Sequence, residues 1–126
     1  MNKTRTKRRE PEFILQSAIF ACIKELLNPD VLITCFPSGG GGRVRGAKLK
    51  KMGLASGYPD LQLLHKGKYY GLEVKTETGR LSPAQSELHE KLKLQGARVA
   101  VVRSEKDAIE QIINCLLYTS PSPRDS

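Results

Sequence analysis

The chain has 126 residues, 39% of them hydrophobic, which suits one compact domain with a modest core and leaves little room for a second. No apolar run approaches the ~18–20 residues that cross a bilayer, and no long apolar stretch or cleavage site follows the basic N-terminus as in a secretion signal, so the expected location is the cytoplasm. Lys and Arg number 21 against 13 acidic residues, a net charge of +8, and the excess gathers at the N-terminus and at Arg43, Arg45, Lys48, Lys50 and Lys51, the electrostatic footprint of a polyanion partner such as nucleic acid.

In chain order, residues 1–10 form a basic arm. Pro11 and Glu12 then open a helical pattern in which Leu15, Ile19, Ile23 and Leu26 recur through Leu27, and Asn28-Pro29 stops it. Glu12 falls on the apolar stripe of that helix rather than on its polar face. Val31 to Phe36 is β-branched and apolar, a short strand. Pro37 to Gly42 reads as a mobile glycine-rich loop, and Ala47 to Met52 as a short basic helix ending at Gly53. A strand from Asp60 to Leu64, a tight turn over His65-Lys66-Gly67-Lys68 and a returning strand from Tyr69 to Lys75 follow.

Ser82-Pro83-Ala84-Gln85 has the residues of a helix start: Ser as N-cap, Pro at the first helical position and Gln three after the cap. Leu88 and Leu92 carry that helix to Gly96. Arg98 to Arg103 encloses a continuous apolar run, as in a buried strand, and Ser104 and Asp107 cap a final helix to Leu117. The predicted order is α-β-(short α)-β-β-α-β-α, an α/β domain over residues 11–117 with helices against a mixed sheet. Tyr118 to Ser126, rich in Ser and Pro and without periodicity, is expected to be disordered. Its wording looks like translated sequencing-adapter read-through, so the segment is expected to be an artefact standing where the native C-terminus belongs.

Cys22, Cys35 and Cys115 are odd in number and contain no C-x-x-C pair, which argues against a disulfide framework or a zinc site and for buried thiols. His65 and His89 are isolated and receive no role.

The chemistry concentrates in Gly57-Tyr58-Pro59-Asp60-Leu61 and Gly71-Leu72-Glu73-Val74-Lys75. Alternation puts Glu73 and Lys75 on one face of their strand. With Lys66-Gly67 as the turn, Asp60 lies opposite Glu73, their Cβ atoms about 5 Å apart. Two carboxylates so placed repel each other, and a divalent cation removes the conflict. Mg²⁺ is commonly held by one or two carboxylates together with waters and phosphate oxygens. Lys75 offers a point charge to an attacking water or to charge developing on phosphorus. Together these residue types make a site for phosphodiester hydrolysis. An ordinary surface hairpin explains Glu-x-Lys alone, but explains less well a Pro-Asp strand start in register with it.

From Pro11 to Ile113 the chain resembles the VRR-NUC family, the virus-type replication-repair nucleases within the PD-(D/E)xK group. The resemblance rests on Glu12, the basic segment leading to Gly53, Gly57-Tyr58-Pro59-Asp60, Glu73-Val74-Lys75, Gly79-Arg80-Leu81-Ser82-Pro83-Ala84-Gln85, and Gly96 before Val99-Ala100-Val101-Val102-Arg103-Ser104. It implies a restriction-endonuclease-like fold and a metal-dependent DNA endonuclease that selects branched or junction DNA in replication, repair or recombination, in a bacterial or phage-infected cell. It also implies Asp60 and Glu73 as ligands of Mg²⁺ or Mn²⁺ with the Val74 carbonyl, Lys75 as catalytic lysine, Glu12 near the metal, Gln85 orienting the site, and a homodimer. An unpaired carboxylate on a buried stripe is costly, which supports the role of Glu12. That residue could equally favour the positive end of its helix, and Gln85 could be a capping residue only.

Arg43 and Arg45, with Lys48 and Lys51, are expected to contact DNA phosphates. A P-loop is excluded: Gly41 and Gly46 have the right separation, but Ala47-Lys48-Leu49 places the lysine one position late with no hydroxyl after it. A catalytically inactive nucleic-acid-binding domain is the stronger alternative. Its basic patches would bind DNA by counterion release, but it has no use for Asp60 and Glu73 on a face that must accept phosphates.

Overall fold

The structure is a computed structural model that describes residues 2–36 and 42–119, with side chains described at 11–36 and 44–119. The apolar stripe of the first helix decides how that helix packs. In α1 (Asn2–Leu26), Ile19 and Ile23 are fully buried and Leu15 and Leu26 flank them. They meet the inner face of a sheet formed by β1 (Leu32–Cys35), β2 (Leu61–His65), β3 (Lys68–Val74) and β4 (Arg98–Val102). The strands lie in the order β1-β2-β3-β4. The first three pair antiparallel and β3 pairs parallel with β4, so the sheet is mixed.

Alternation along β3 divides the molecule into layers. Leu72 and Val74 join Leu61, Leu63 and Val102 on the face covered by α1 and by α4 (Glu105–Asn114), whose Ala108 and Ile112 complete the core. Glu73 points the other way, toward α3 (Pro83–Leu94). The parallel β3–β4 pair needs a crossover connection, and α3 supplies it. Ser82 caps α3 in a reciprocal capping box with Gln85, and Ser104 caps α4 by accepting from the Asp107 N–H at 3.1 Å.

Lys66 at φ 52° and Gly67 at φ 81° form the two-residue turn whose twist suits a tight hairpin. Pairing runs from His65↔Lys68 to Leu61↔Leu72, the predicted register. The element order also matches the predicted one.

Four boundaries differ by more than one residue. α1 begins ahead of Pro11: the arm before it contains no glycine and is rich in Lys and Arg, good helix formers, and the helix continues through a proline that costs about 3 kcal/mol in a helix interior. α2 (Gly42–Lys51) begins before Ala47, accommodating Gly46 at about 1 kcal/mol. α4 ends at Asn114, because Leu116 turns to φ 59°. Tyr118 and Thr119 are not free chain. The Asn28 N–H donates to the Leu117 carbonyl and the Thr119 N–H to the Leu26 carbonyl, both at 2.8 Å, and Leu27 bridges Tyr118. These bonds hold Leu117 in the core. The expected loop at 37–41 and tail from 120 lie outside the described residues.

The cysteines also depart from expectation. Cys35 is exposed on edge strand β1, while Cys22 and Cys115 are half-buried. Among the described residues no helix is long and apolar enough to cross a membrane.

Candidate active site

Asp60 stands one residue before β2 and is held from several sides. Its carbonyl accepts the Phe36 N–H at 2.8 Å, which extends the β1–β2 ladder, and its Oδ2 accepts the Val74 N–H at 2.8 Å. The preceding Pro59 is fully buried against Gly71, where a Cβ would come within 2.9 Å of the Pro59 Cβ. Gly57, at φ 99°, presses on the first turn of α3, where an added Cβ would lie 2.7 Å from the Ala84 carbonyl oxygen. Both glycines are there because backbone must approach closely. Tyr58 packs edge-on against Phe36, with ring centroids 5.6 Å apart.

These contacts bring the Asp60 carboxylate against that of Glu73, which is only 1% exposed. Burial first, then the adjacent Asp60, push the Glu73 carboxyl up to about 8, against the opposing pull of Lys75. Glu73 Oε2 accepts from Gln85 Nε2 at 3.1 Å and lies 4.0 Å from Lys75 Nζ. Glu73 Oε1 is buried with no hydrogen-bond partner.

Gln85 therefore does two things at once. Its Oε1 accepts the Ser82 N–H at 2.9 Å, closing the capping box, while its Nε2 reaches Glu73. Val74 meets Asp60 through its N–H. Glu12 is exposed, not buried on the stripe as expected, because the packed core includes no residue of α1 before Leu15. Its charge is the last and least of the causes that raise the Glu73 carboxyl. Arg45, Lys48 and Lys51 are exposed on α2, which among the described residues makes no extensive contact with another helix or strand. The Arg43 side chain lies outside the described residues.

His89 belongs to the site although its sequence context gave it no role. It is 4% exposed, and its Nε2 lies 3.2 Å from Glu73 Oε1. Burial, and then Lys93, hold its pKa below the usual histidine value. The signal was present: His89 is one helical turn beyond Gln85, on the same face of α3. Arg103 was also missed. Its Nη1 donates to the carbonyls of Thr76 and Gly79, each at 2.7 Å, and to that of Glu77 at 3.4 Å, which ties down the loop between Lys75 and α3.

Among the described residues no three His, Cys, Asp or Glu side chains converge as a ready-made metal cluster. The donor set is instead two carboxylates in contact, one with a buried, unpartnered oxygen. That set fits a hard divalent cation, which takes few protein ligands and completes its shell with water and phosphate oxygens.

Comparison with known proteins bears on the fold and the family. The VRR-NUC domain family matches residues 5–106. A solved structure described as a VRR_NUC domain protein superposes with a TM-score of 0.69 at 25% identity, covering 82% of this chain and 85% of its own. Another, described as a VRR_NUC domain, has a TM-score of 0.55 at 27% identity and covers 82% of this chain and 94% of its own. No curated protein matches the chain. The fold, the site and the matched span lead to one conclusion: the chain belongs to the VRR-NUC domain family, a family of nuclease domains.

Proposed function

We propose that this nuclease domain is a metal-dependent DNA endonuclease of the PD-(D/E)xK kind, in which Asp60 and Glu73 hold Mg²⁺ or Mn²⁺. The observation that carries the reading is the Asp60–Glu73 contact itself. In a protein with a net charge of +8 one carboxyl group is buried against another, so its ionised form is disfavoured unless a cation compensates. The Val74 carbonyl, one residue past Glu73, is a further ligand in this reading, and Glu12 adds negative charge from α1, directly or through water.

When bound, the cation supplies Lewis acidity, lowering the pKa of a water and polarising a phosphoryl oxygen. The chain's own residues do the rest. Lys75, 12% exposed and 4.0 Å from Glu73 Oε2, carries positive charge where negative charge grows on the phosphoryl group. Gln85 holds Glu73 from the first turn of α3. Arg45, Lys48 and Lys51, and Arg43 by its sequence position, bind the phosphate backbone without reading bases. A site that grips backbone and carries no base-reading motif suits selection by DNA shape, so branched or junction DNA in replication, repair or recombination is the proposed substrate. A homodimer is the proposed assembly and the cytoplasm the proposed location.

Labelled linear, flap and four-way-junction DNA, incubated with the protein in Mg²⁺, Mn²⁺ or EDTA, tests this reading. Metal-dependent cutting concentrated on branched substrates is expected. DNA binding without cleavage in either metal would favour a catalytically inactive binding domain.

A further inference from the structure

We infer that His89 is a positioning residue for Glu73, the second half of a clamp of which Gln85 is the first. The role rests on the proposed metal-dependent reading of the site.

Gln85 and His89 are spaced four apart on α3, so their side chains rise from one face of the helix, one turn apart. Each addresses a different oxygen of the same carboxylate. Gln85 Nε2 donates to Oε2 at 3.1 Å, and His89 Nε2 stands 3.2 Å from Oε1. Both Oε1 and His89 Nε2 are buried, and neither has a hydrogen-bond partner among the described residues. Two buried polar atoms left alone would each carry a desolvation cost. Facing each other at 3.2 Å, both are satisfied when the Nε2–H tautomer of His89 donates to Oε1.

His89 rises from α3 just over one turn beyond Ala84, the residue against which the Asp60 loop packs. Gly57 is itself pressed against Ala84 of α3. The loop that delivers Asp60 and the helix that delivers Gln85 and His89 are therefore in direct contact. A ligating carboxylate whose plane is fixed at both oxygens does not have to be ordered when the cation arrives. Removing such outer-shell support typically weakens metal binding about 10- to 100-fold.

The test is calorimetric titration of Mn²⁺ into the full chain and into His89→Phe and His89→Gln, each checked by its melting curve. Phe keeps the flat buried shape and loses the polar group. Gln returns a nitrogen at about the same reach. His89→Phe should stay folded and bind Mn²⁺ about 10- to 100-fold more weakly, while His89→Gln stays near the wild type. Wild-type-like binding by His89→Phe, or equal weakening in both variants, would overturn the role. In the wild-type chain, adding Mg²⁺ should shift the ring ¹⁵N resonances of His89 and leave those of His65, at the far end of the hairpin, unchanged. This holds whether or not the Phe variant folds, and an unmoved His89 would also overturn the role. A wild-type chain that binds neither metal would remove the metal-dependent reading, and this role with it.

Discussion

Asp60 accepts the Val74 N–H at 2.8 Å, and this bond makes the open end of the β2–β3 hairpin a site. Pairing with β3 stops at Leu61↔Leu72, so the β2–β3 ladder does not itself set Asp60 beside Glu73. The side chain reaches across to the backbone immediately after Glu73 and brings the two carboxylates into contact. Glu73 is carried by the strand itself, between Leu72 and Val74, which are fastened into the core. One carboxylate is thus fixed by packing and the other by hydrogen bonding.

The contact has a signature in stability. Folding raises the Glu73 carboxyl from its ordinary 4.5 to about 8, so between these values the folded chain holds a proton that the unfolded chain has lost. Stability of the metal-free protein therefore falls as pH rises through that window. At about 1.4 kcal/mol per unit, the full loss is on the order of a few kcal/mol. His89 is shifted below its ordinary 6.5, so its contribution rises with pH and is complete by about pH 7. Between pH 7 and 8.5 in EDTA the melting temperature should drop, and Glu73→Gln should remove the drop. Mg²⁺ at pH 8.5 should restore the wild type and not the variant. An equal decline in Glu73→Gln would place the cause elsewhere.

Gly71 is the position where packing and site are most tightly linked. A Cβ there meets the Pro59 ring, and Pro59 immediately precedes Asp60. Gly71→Ala should cost about 1–3 kcal/mol, the usual range for overpacking, and should weaken Mn²⁺ binding in the protein that remains folded. Urea denaturation and metal titration check the two effects separately. An alanine variant with unchanged stability and metal affinity would show that Pro59 can move without disturbing Asp60.

The hairpin register was legible because a Lys-Gly turn allows few loop geometries, and the helix start at Ser82 was legible because Ser-Pro-Ala-Gln satisfies its own backbone. His89 was legible in principle, by continuing the face of α3 one turn past Gln85, but an isolated histidine carries no local signal of its neighbours. Arg103 could not be read at all: its partners are three carbonyls of a distant loop, and carbonyls have no sequence identity. Pro11 misled because a proline usually marks a helix boundary, and Tyr118-Thr119 because pairing with the end of α1 is a long-range contact absent from local composition.

Arg103 should act on the loop rather than on the core. Arg103→Ala removes charge-assisted bonds to Thr76 and Gly79, but the side chain is exposed, so a loss of only about 1 kcal/mol is expected. Amide hydrogen exchange at 76–80 should accelerate while that of β2 and β3 is unchanged. Lysine should rescue poorly, since its point charge does not reproduce the guanidinium fork. Unchanged loop exchange in Arg103→Ala would count against the clamp.

The basic face of α2 should register in salt dependence. Replacing Arg45, Lys48 and Lys51 together by Ala should reduce the slope of log K against log salt by about 0.9 for each DNA phosphate that the variant no longer neutralises. Lys66→Ala, in the hairpin turn, should leave the slope unchanged. Equal slopes for wild type and triple variant would move the DNA path away from α2.

The most direct test separates cutting from binding at the carboxylate pair. Single-turnover cleavage of a four-way junction in Mg²⁺ would be measured for the wild type, Glu73→Gln and Lys75→Ala, with DNA affinity determined in parallel by fluorescence anisotropy. Cleavage should fall at least about 100-fold in both variants while each binds DNA within a few-fold of the wild type. Cleavage that persists in Glu73→Gln would contradict the assignment of the Asp60–Glu73 pair as the centre of the chemistry.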